Sequence, residues 1–151
     1  MTLDILICSL NKGIVRVQDV LLPPQEGVHY VISYQYTDER YLELIPQNLT
    51  TRSDVSLYKY KGQGLSANRN LALDKATGDI IMYADDDARL LPETPRIITQ
   101  KFENDPQLQS VIDGVESAYG AELSDDELIQ VSAAGELYRK KRTDGGGGGA
   151  T

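Results

Sequence analysis

Three consecutive carboxylates follow an apolar segment near the middle of the chain. Asp85, Asp86 and Asp87 come directly after residues 80–84, whose apolar composition is typical of a buried strand. Like charges this close repel one another, most strongly where water is excluded. If the chain stays extended, Asp85 and Asp87 point to one side and Asp86 to the other. Two carboxylates on one side, with no His or Cys beside them, favour a hard cation such as Mg²⁺ or Mn²⁺.

Such a cation needs further ligands, because two protein carboxylates are too few to hold it tightly. A ligand that carries phosphates supplies the missing oxygens. The acidic triplet, residues 85–87, therefore predicts a divalent metal that is shared with a phosphorylated ligand. The alternative is an acidic surface turn in which the aspartate side chains cap backbone N–H groups.

A glycine-containing turn, residues 62–70 with the sequence GQGLSANRN, is the second candidate for ligand binding. Ser66 is the predicted N-cap of the helix that follows, and the start of that helix could face a phosphate. Gly62, Gly64 and Ala67 also satisfy the dinucleotide-binding pattern G-x-G-x-x-G/A, with acids about 20 residues later. Against that alternative, the turn follows the third predicted strand rather than the first, and a ribose contact needs only one acid.

The elements that must position these residues alternate along the chain. Strands are predicted over residues 3–9, 29–36, 54–61, 78–84 and 108–115. Helices are predicted from Thr37 or Asp38 to about residue 45, from Ser66 to a stop at Gly78, and over residues 92–104. The last of these has Ile97, Ile98 and Phe102 on one side, while residues 14–22 have no clear assignment. This order predicts an α/β fold with an open, mostly parallel sheet flanked by helices, in which ligands bind at the carboxyl ends of the strands.

Composition limits the classes of partner. The chain has 151 residues, a formal net charge of −8 and a pI of about 4.6, which argue against nucleic acid as a partner. The single cysteine, Cys8, lies in an apolar run and indicates a buried thiol in a reducing compartment. No signal peptide or transmembrane segment is evident, so we expect a cytoplasmic protein. His29, the only histidine, has no evident acidic partner and is interpreted as structural or exposed to solvent.

The last third of the chain is less regular. Residues 124–127 resemble a helix start, and residues 135–142 are a candidate strand. The basic cluster at residues 139–142 is interpreted as a solvated strand end or tail, or alternatively as a contact for an anionic ligand or a membrane surface. Gly145–Gly149 is a run of five glycines, interpreted as a linker or as a chain that stops inside a larger domain. We therefore expect one domain over residues 1–144, apparently truncated, and a glycine-rich tail over residues 145–151.

At this point the residues resemble a known family. Residues 64–93, GLSANRNLALDKATGDIIMYADDDARLLPE, are similar to the central signature of family 2 glycosyltransferases of the GT-A fold. That signature is a G-x-S-x-x-R-N helix start, then a strand and a D-x-D motif. Residues 5–11 resemble the family's first strand and turn, and residues 96–114 resemble the helix and strand that follow D-x-D. The resemblance covers about residues 3–114, and we find none from Ser117 onward.

The resemblance implies an inverting, metal-dependent transfer of a sugar from a nucleotide-diphosphate donor to a hydroxyl acceptor. Asp85 would lie near the donor's ribose, and Asp87 would coordinate Mn²⁺ or Mg²⁺ at the diphosphate. The implied metal ligands are Asp85 and Asp87. The implied donor-binding residues are Ser9, Leu10, Asn11, Gly64, Ser66, Arg69, Asp85 and Asp86. For Arg69, a surface ion pair with Asp74 or another acid is the alternative.

Two departures from the family affect the interpretation. Where the family carries V-D-D-G-S at the end of its second strand, Ser33, Tyr34 and Gln35 replace the acids, so UDP is adopted as the nucleotide by default. The family's catalytic base lies in the second half of its fold, and we assign no residue to it or to the acceptor site. The alternative function is a non-catalytic nucleotide- or metal-binding module that self-associates through an unpaired strand edge.

Overall fold

The protein is described here by a computed structural model, which covers residues 1–105 and the backbone of residues 137–138. The strands are β1 (Leu3–Leu10), β2 (Val28–Tyr36), β3 (Val55–Lys61), β4 (Ile80–Asp85) and β5 (Leu137–Tyr138). The helices are α1 (Ile14–Val20), α2 (Asn48–Thr51), α3 (Leu65–Lys75) and α4 (Thr94–Asn104). Short 3₁₀ segments occupy Asn11–Gly13 and Glu39–Leu44.

The five strands form one sheet in the order β3-β2-β1-β4-β5. The first four strands run parallel, and β5 pairs antiparallel with β4. The prediction of an open, mostly parallel α/β sheet with flanking helices is therefore confirmed. Within the predicted strand at residues 135–142, the structure has β5, whereas the strand predicted over residues 108–115 lies outside the described residues.

Helices cover both faces of the sheet, which explains why its strands are nearly continuous apolar runs. One face packs against α1 and α4, and its core residues are Leu3, Ile5, Ile7, Tyr30, Ile32, Tyr34, Ile80 and Met82, with Ile14, Val17, Val20 and Phe102 from the helices. The other face packs against α3, through Leu6, Val31, Ile81, Ala72, Leu73 and Ala76.

The strand order places a topological switch point between β1 and β4. The chain winds outward from β1 through β2 to β3, then crosses back to form β4 on the other side of β1. The connection after β1 leads into α1 and the connection after β4 leads towards α4, and both helices pack on the same face of the sheet. The carboxyl ends of β1 and β4 meet at the switch point, which is where open α/β sheets bind ligands.

Several predicted helix boundaries were wrong. Helix α3 begins at Leu65 with Gly64 at its N-cap, so Ser66 lies inside the first turn and does not cap the helix. The same helix ends at Lys75 rather than continuing to Gly78. Gly78 is needed for another reason, since a Cβ there would lie 2.9 Å from atoms of Asp4.

Two other features of the helices depend on how they pack against the sheet. Residues 14–20 form α1 although Ile14, Val17 and Val20 are β-branched, because all three are buried against the sheet. In α4, Phe102 is buried and Ile98 packs against the core, but Ile97 is 55% exposed. Ile98 and Phe102 are four residues apart and share a helical face, whereas Ile97 falls outside it.

Candidate functional site

The ends of β1 and β4 lie side by side at the switch point. Cys8 pairs with Asp85 in the parallel ladder, and this is the last pair between β1 and β4. Ser9 and Asp86 are the next residues along the chain, and their side chains meet on the α1 face of the sheet. The structure thus brings together two parts of the predicted site that are 77 residues apart in sequence.

Asp86 is the centre of this arrangement. Its Oδ2 accepts a hydrogen bond of 2.9 Å from the Ser9 hydroxyl, and its Oδ1 accepts one of 2.8 Å from Arg16 Nη2. The Arg16 contact is also an ion pair, in which the Asp86 side chain is 16% exposed and the Arg16 side chain 58% exposed. A Cβ at Gly13 would lie 2.2 Å from Asp86 Oδ2, so a side chain at this position would require the carboxylate to shift.

The chain does not stay extended through the acidic triplet. Strand β4 ends at Asp85, Asp86 and Asp87 form a turn, and the Ala88 N–H donates to the Asp85 carbonyl at 3.0 Å. The expectation that Asp87 continues the strand alternation with Asp85 was therefore wrong. Both of these side chains are exposed, and neither makes a hydrogen bond or ion pair to any residue between 1 and 105.

A buried polar network lies behind the ends of β1 and β2. The Asn68 side chain donates to the Ser9 carbonyl at 3.2 Å and accepts a hydrogen bond from the Ser33 hydroxyl. Ser9, Ser33 and Asn68 are 3%, 0% and 2% exposed. Since each buried polar group has a partner, the network connects β1, β2 and α3 without an unsatisfied group among these contacts.

The turn before α3 is fixed by the end of β2. Gln35 is buried, and its Oε1 accepts a hydrogen bond of 3.0 Å from the Gly64 N–H. Gly64 has a φ of 154°, a conformation that favours glycine. The first turn of α3, which contains the exposed Ser66, therefore begins at the same end of the sheet as the acidic triplet.

Asn11 braces the turn that follows β1. Its Oδ1 accepts a hydrogen bond of 2.9 Å from the Thr37 N–H, and its Nδ2 donates to the Thr37 hydroxyl. Tyr34 donates its hydroxyl proton to the Asn11 carbonyl at 3.1 Å. Asn11 has a φ of 49°, which asparagine tolerates better than most residues. Its side-chain amide thus holds β1 to β2, while Leu10 at the end of β1 is half-buried and pairs with Gln35.

Arg69 lies on the α3 face of the sheet, on the same side as Asp85. Its guanidinium carbon is 5.7 Å from the centre of the Tyr83 ring, and the Tyr83 hydroxyl donates to the Arg69 carbonyl at 3.0 Å. The predicted alternative, an ion pair with Asp74, is not what the structure has, because the Asp74 carboxylate lies 3.8 Å from Lys75 Nζ. This cation–π contact with Tyr83 restrains the Arg69 guanidinium.

Cys8 is unsuited to nucleophilic chemistry. Burial raises the pKa of its thiol to about 12, and the nearby acids Asp85 and Asp86 act in the same direction against Arg69. The thiol is therefore protonated at neutral pH. Cys8 is half-buried rather than fully buried, because it packs at the edge of the α3-face core.

The acidic triplet offers the kind of oxygen donors that a hard divalent cation binds. Asp85 and Asp87 have exposed carboxylate oxygens, which Mg²⁺ and Mn²⁺ prefer. Within the described part of the chain, no three His, Cys, Asp or Glu side chains are grouped so that they could hold a metal by themselves.

Sequence reasoning missed several members of the site. Arg16 lies in the segment 14–22, which had no clear assignment, and Gly13 was predicted only as part of a turn. Asn68 is one of several polar residues in the turn motif, and Gln35 was noted only as a replacement for a family acid. The available signal was position: Gln35 lies near the end of β2, Gly13 follows β1, and Arg16 and Asn68 lie near the start of α1 and α3.

No helix in the described residues combines the length and apolar character needed to cross a membrane. A comparison with curated proteins finds no match. Among solved structures, the chain is similar to S. aureus TarS, with 16% identity, 68% of this chain and 20% of that chain covered, and a TM-score of 0.48. It is also similar to S. aureus TarS 1-349 in complex with UDP-GlcNAc, with 16% identity, 68% and 31% coverage and a TM-score of 0.49. The chain thus spans about a fifth to a third of the length of these structures.

A family model described as glycosyl transferase family 2 matches residues 39–145. The match includes the residue 64–93 signature on which the resemblance was based, and it continues past Ser117, where sequence reasoning found none. It does not include β1, whose resemblance to the family's first strand remains a prediction. Because the model matches more than half of the chain, this chain belongs to glycosyl transferase family 2.

Proposed function

We propose that this chain binds a nucleotide-diphosphate sugar and a divalent metal at the switch point, and that it supports transfer of the sugar to a hydroxyl acceptor with inversion. The observation that carries the proposal is that the three aspartates of the acidic triplet differ in their exposure and in their partners. Asp86 is neutralised by Arg16, while the Asp85 and Asp87 carboxylates are exposed and have no partner in residues 1–105. Free carboxylates at this place in an open α/β sheet support a ligand site rather than an acidic surface turn.

In this proposal Asp85 and Asp87 hold Mn²⁺ or Mg²⁺ together with the donor's phosphates. Bound there, the metal supplies Lewis-acid stabilisation of the charge that develops on the leaving diphosphate. The charges also favour this arrangement, because two free carboxylates balance one divalent cation. The donor's phosphates then complete the ligand set that the protein lacks.

The protein's own groups would bind and orient the donor. In the proposal Ser9, Leu10 and Asn11 contribute from the end of β1, and Asp85 from the end of β4. Gly64 and Ser66 present the first turn of α3, whose free backbone N–H groups are suited to a phosphate. Arg69 contributes a positive charge on the α3 face. Asp86 contributes indirectly, through its hydrogen bonds with Ser9 and Arg16.

The transfer would proceed without covalent attachment to the protein. The acceptor oxygen forms a bond to the anomeric carbon while the bond from that carbon to the diphosphate breaks. The electron pair of the broken bond leaves with the nucleoside diphosphate, and the acceptor proton passes to a base. We assign no residue to this base, and the acceptor remains an unspecified hydroxyl compound.

We also retain three coarser expectations as proposals. Residues 1–144 would form one donor-binding domain. A cytoplasmic location is supported by the free thiol of Cys8, with attachment to a membrane surface through residues 139–142 as the alternative. Self-association remains part of the alternative in which the chain binds nucleotide and metal without catalysis.

The test is calorimetric titration of UDP into the protein with and without Mn²⁺, repeated with Asp87→Ala and with Asp74→Ala as the matched control. Asp74 is an exposed acid on α3 whose only described partner is Lys75. The proposal expects binding that needs Mn²⁺, is lost in Asp87→Ala and is retained in Asp74→Ala. UDP-GlcNAc is one donor with which to measure turnover. Failure of the wild-type protein to bind millimolar UDP or GDP with Mn²⁺ would overturn the proposal, whereas binding without turnover would support the non-catalytic module.

A further inference from the structure

The middle carboxylate of the acidic triplet differs from its neighbours in burial and in contacts. Both Asp86 oxygens accept hydrogen bonds, one from the Ser9 hydroxyl at 2.9 Å and one from Arg16 at 2.8 Å. Ser9 is 3% exposed and Asp86 16%, so this contact is well shielded from water. Both Asp86 oxygens are thus occupied by protein donors in a mostly buried side chain, whereas the carboxylates of Asp85 and Asp87 are exposed.

The turn after β1 is built around this carboxylate. Gly13 approaches so closely that a Cβ would lie 2.2 Å from Asp86 Oδ2 and 2.9 Å from the Ser9 hydroxyl. Asp86 therefore links the end of β4 to the β1–α1 turn across the switch point. The β1–β4 ladder ends at the pair Cys8–Asp85, so beyond it the Asp86 contacts join the two segments.

Arg16 determines the net charge of the triplet. The three carboxylates carry a formal charge of −3, and the guanidinium that pairs with Asp86 reduces it to −2. The two remaining charges belong to the exposed Asp85 and Asp87, and they match one divalent cation. Arg16 is 58% exposed, so its guanidinium is open to solvent beside the Asp86 carboxylate.

We propose that Asp86 is a positioning residue rather than a metal ligand. In the same proposal Arg16 offsets part of the negative charge of the triplet, so that the site binds a metal–diphosphate complex more favourably than the metal alone. This inference rests on the proposed function. It makes a specific electrostatic prediction, because a positive charge near the site repels a bare cation and attracts a diphosphate. Removal of Arg16 should then have opposite effects on the two ligands.

The experiment measures the two ligands separately in the full chain. Mn²⁺ alone is titrated by electron paramagnetic resonance, which reports free Mn²⁺, and UDP with Mn²⁺ is titrated by calorimetry. The variants are Arg16→Met, Arg16→Lys and Asp86→Asn, with Arg40→Met as the matched control. Arg40 is also an exposed arginine paired with an aspartate, but it follows β2 and its ion pair is with Asp38 rather than with the triplet.

The expected result for Arg16→Met is Mn²⁺ binding that is about three- to tenfold tighter and UDP–Mn²⁺ binding that is weaker by a similar factor. Arg16→Lys keeps the charge and should restore both affinities in part. Asp86→Asn should weaken UDP binding about tenfold through loss of the charged hydrogen bonds, yet keep the dependence on Mn²⁺. Arg40→Met should change neither affinity.

Two results would overturn the inference while leaving the proposed function intact. The first is a loss of Mn²⁺ dependence in Asp86→Asn equal to that in Asp87→Ala, which would make Asp86 a metal ligand. The second is a change of both affinities in the same direction, or of neither, in Arg16→Met, since a purely structural role would weaken them together. Absence of Mn²⁺-dependent UDP binding in the wild-type protein would overturn the proposed function and this inference together. The Arg16 side chain is mostly exposed, so Arg16→Met keeps the test decisive even if Asp86→Asn fails to fold.

Discussion

Gln35 accepts a hydrogen bond of 3.0 Å from the Gly64 N–H, and this contact joins the end of β2 to the turn before α3. The glutamine stands in the segment where the family carries acids, and it is 6% exposed. A buried amide oxygen at this position fixes the backbone that starts the helix. Gln35 thus has a structural role at the edge of the candidate donor site.

The first prediction concerns this contact. Gln35→Leu leaves the Gly64 N–H without its partner. We therefore expect the free energy of unfolding to fall by about 1–3 kcal/mol and UDP–Mn²⁺ binding to weaken. Urea denaturation and calorimetry measure the two effects. Gln63→Leu, at an exposed position in the same turn, is the matched control and should be nearly neutral. Equal stability of the two variants would contradict the structural role of Gln35.

The second prediction concerns the close approach at Gly13. Gly13→Ala places a methyl group against Asp86, so we expect a loss of about 1–3 kcal/mol in stability from overpacking, together with weaker UDP binding. The same substitution in an Asp86→Ala background should be less damaging, because the carboxylate is then absent. A double-mutant cycle by urea denaturation measures this coupling. If the effects of the two substitutions on the free energy of unfolding are additive, the added methyl group at Gly13 does not clash with the Asp86 carboxylate.

The third prediction concerns the buried network at Asn68. Asn68→Leu removes the partners of the Ser33 hydroxyl and the Ser9 carbonyl, and we expect a loss of about 2–4 kcal/mol in stability. Ser33→Ala removes only one hydrogen bond and should cost less. Asn104→Leu, at the exposed end of α4, is the control for the substitution itself. A similar cost for Asn68→Leu and Asn104→Leu would argue against the network.

Much of the fold was accessible from the sequence because its strands are long apolar runs that are buried on both faces. The four parallel strands and α4 were all predicted within a few residues. Helix α1 was not, because its β-branched residues are weak helix formers and only burial against the sheet explains them. The start of α3 was misplaced because a capping serine is a local signal, whereas Gly64 is fixed by a contact from β2.

The candidate site was predictable in position but not in its internal contacts. Asp85, Asp86 and Asp87 were recognised as a group, and the rule that ligands bind at the carboxyl ends of strands gave their location. Their different roles depend on long-range partners, since Arg16 and Ser9 lie 70 and 77 residues away from Asp86. No local pattern reports which of three adjacent acids meets an arginine from another helix.

The amino-terminal end of the sheet carries an ion pair that sequence reasoning also missed. His29 was expected to have no acidic partner, but its Nδ1 lies 3.6 Å from Asp4 Oδ1. Contact with Asp4 raises the pKa of His29 above its ordinary value, against the opposing effect of burial. Burial acts to raise the pKa of Asp4, but His29 and the Gly78 and Thr77 N–H groups outweigh it and lower that pKa.

These shifts predict how stability depends on pH. The contribution of His29 is fully present below its unfolded pKa of about 6.5 and is lost as the pH rises through its higher folded pKa. The contribution of Asp4 is present above about pH 4 and is lost as the pH falls through its lower folded pKa. The pair should therefore stabilise the protein most between about pH 4 and 6.5.

The measurement is urea denaturation of the wild-type protein and His29→Gln across that range and up to pH 8.5. Glutamine can keep the hydrogen bond that His29 Nε2 makes with the Ser56 hydroxyl, so the comparison isolates the charge. We expect the wild-type protein to be more stable at pH 5 and the difference to shrink as the pH rises above His29's folded pKa. A difference that is constant from pH 5 to pH 8.5 would mean that the imidazole contributes by packing and hydrogen bonding rather than by its charge beside Asp4.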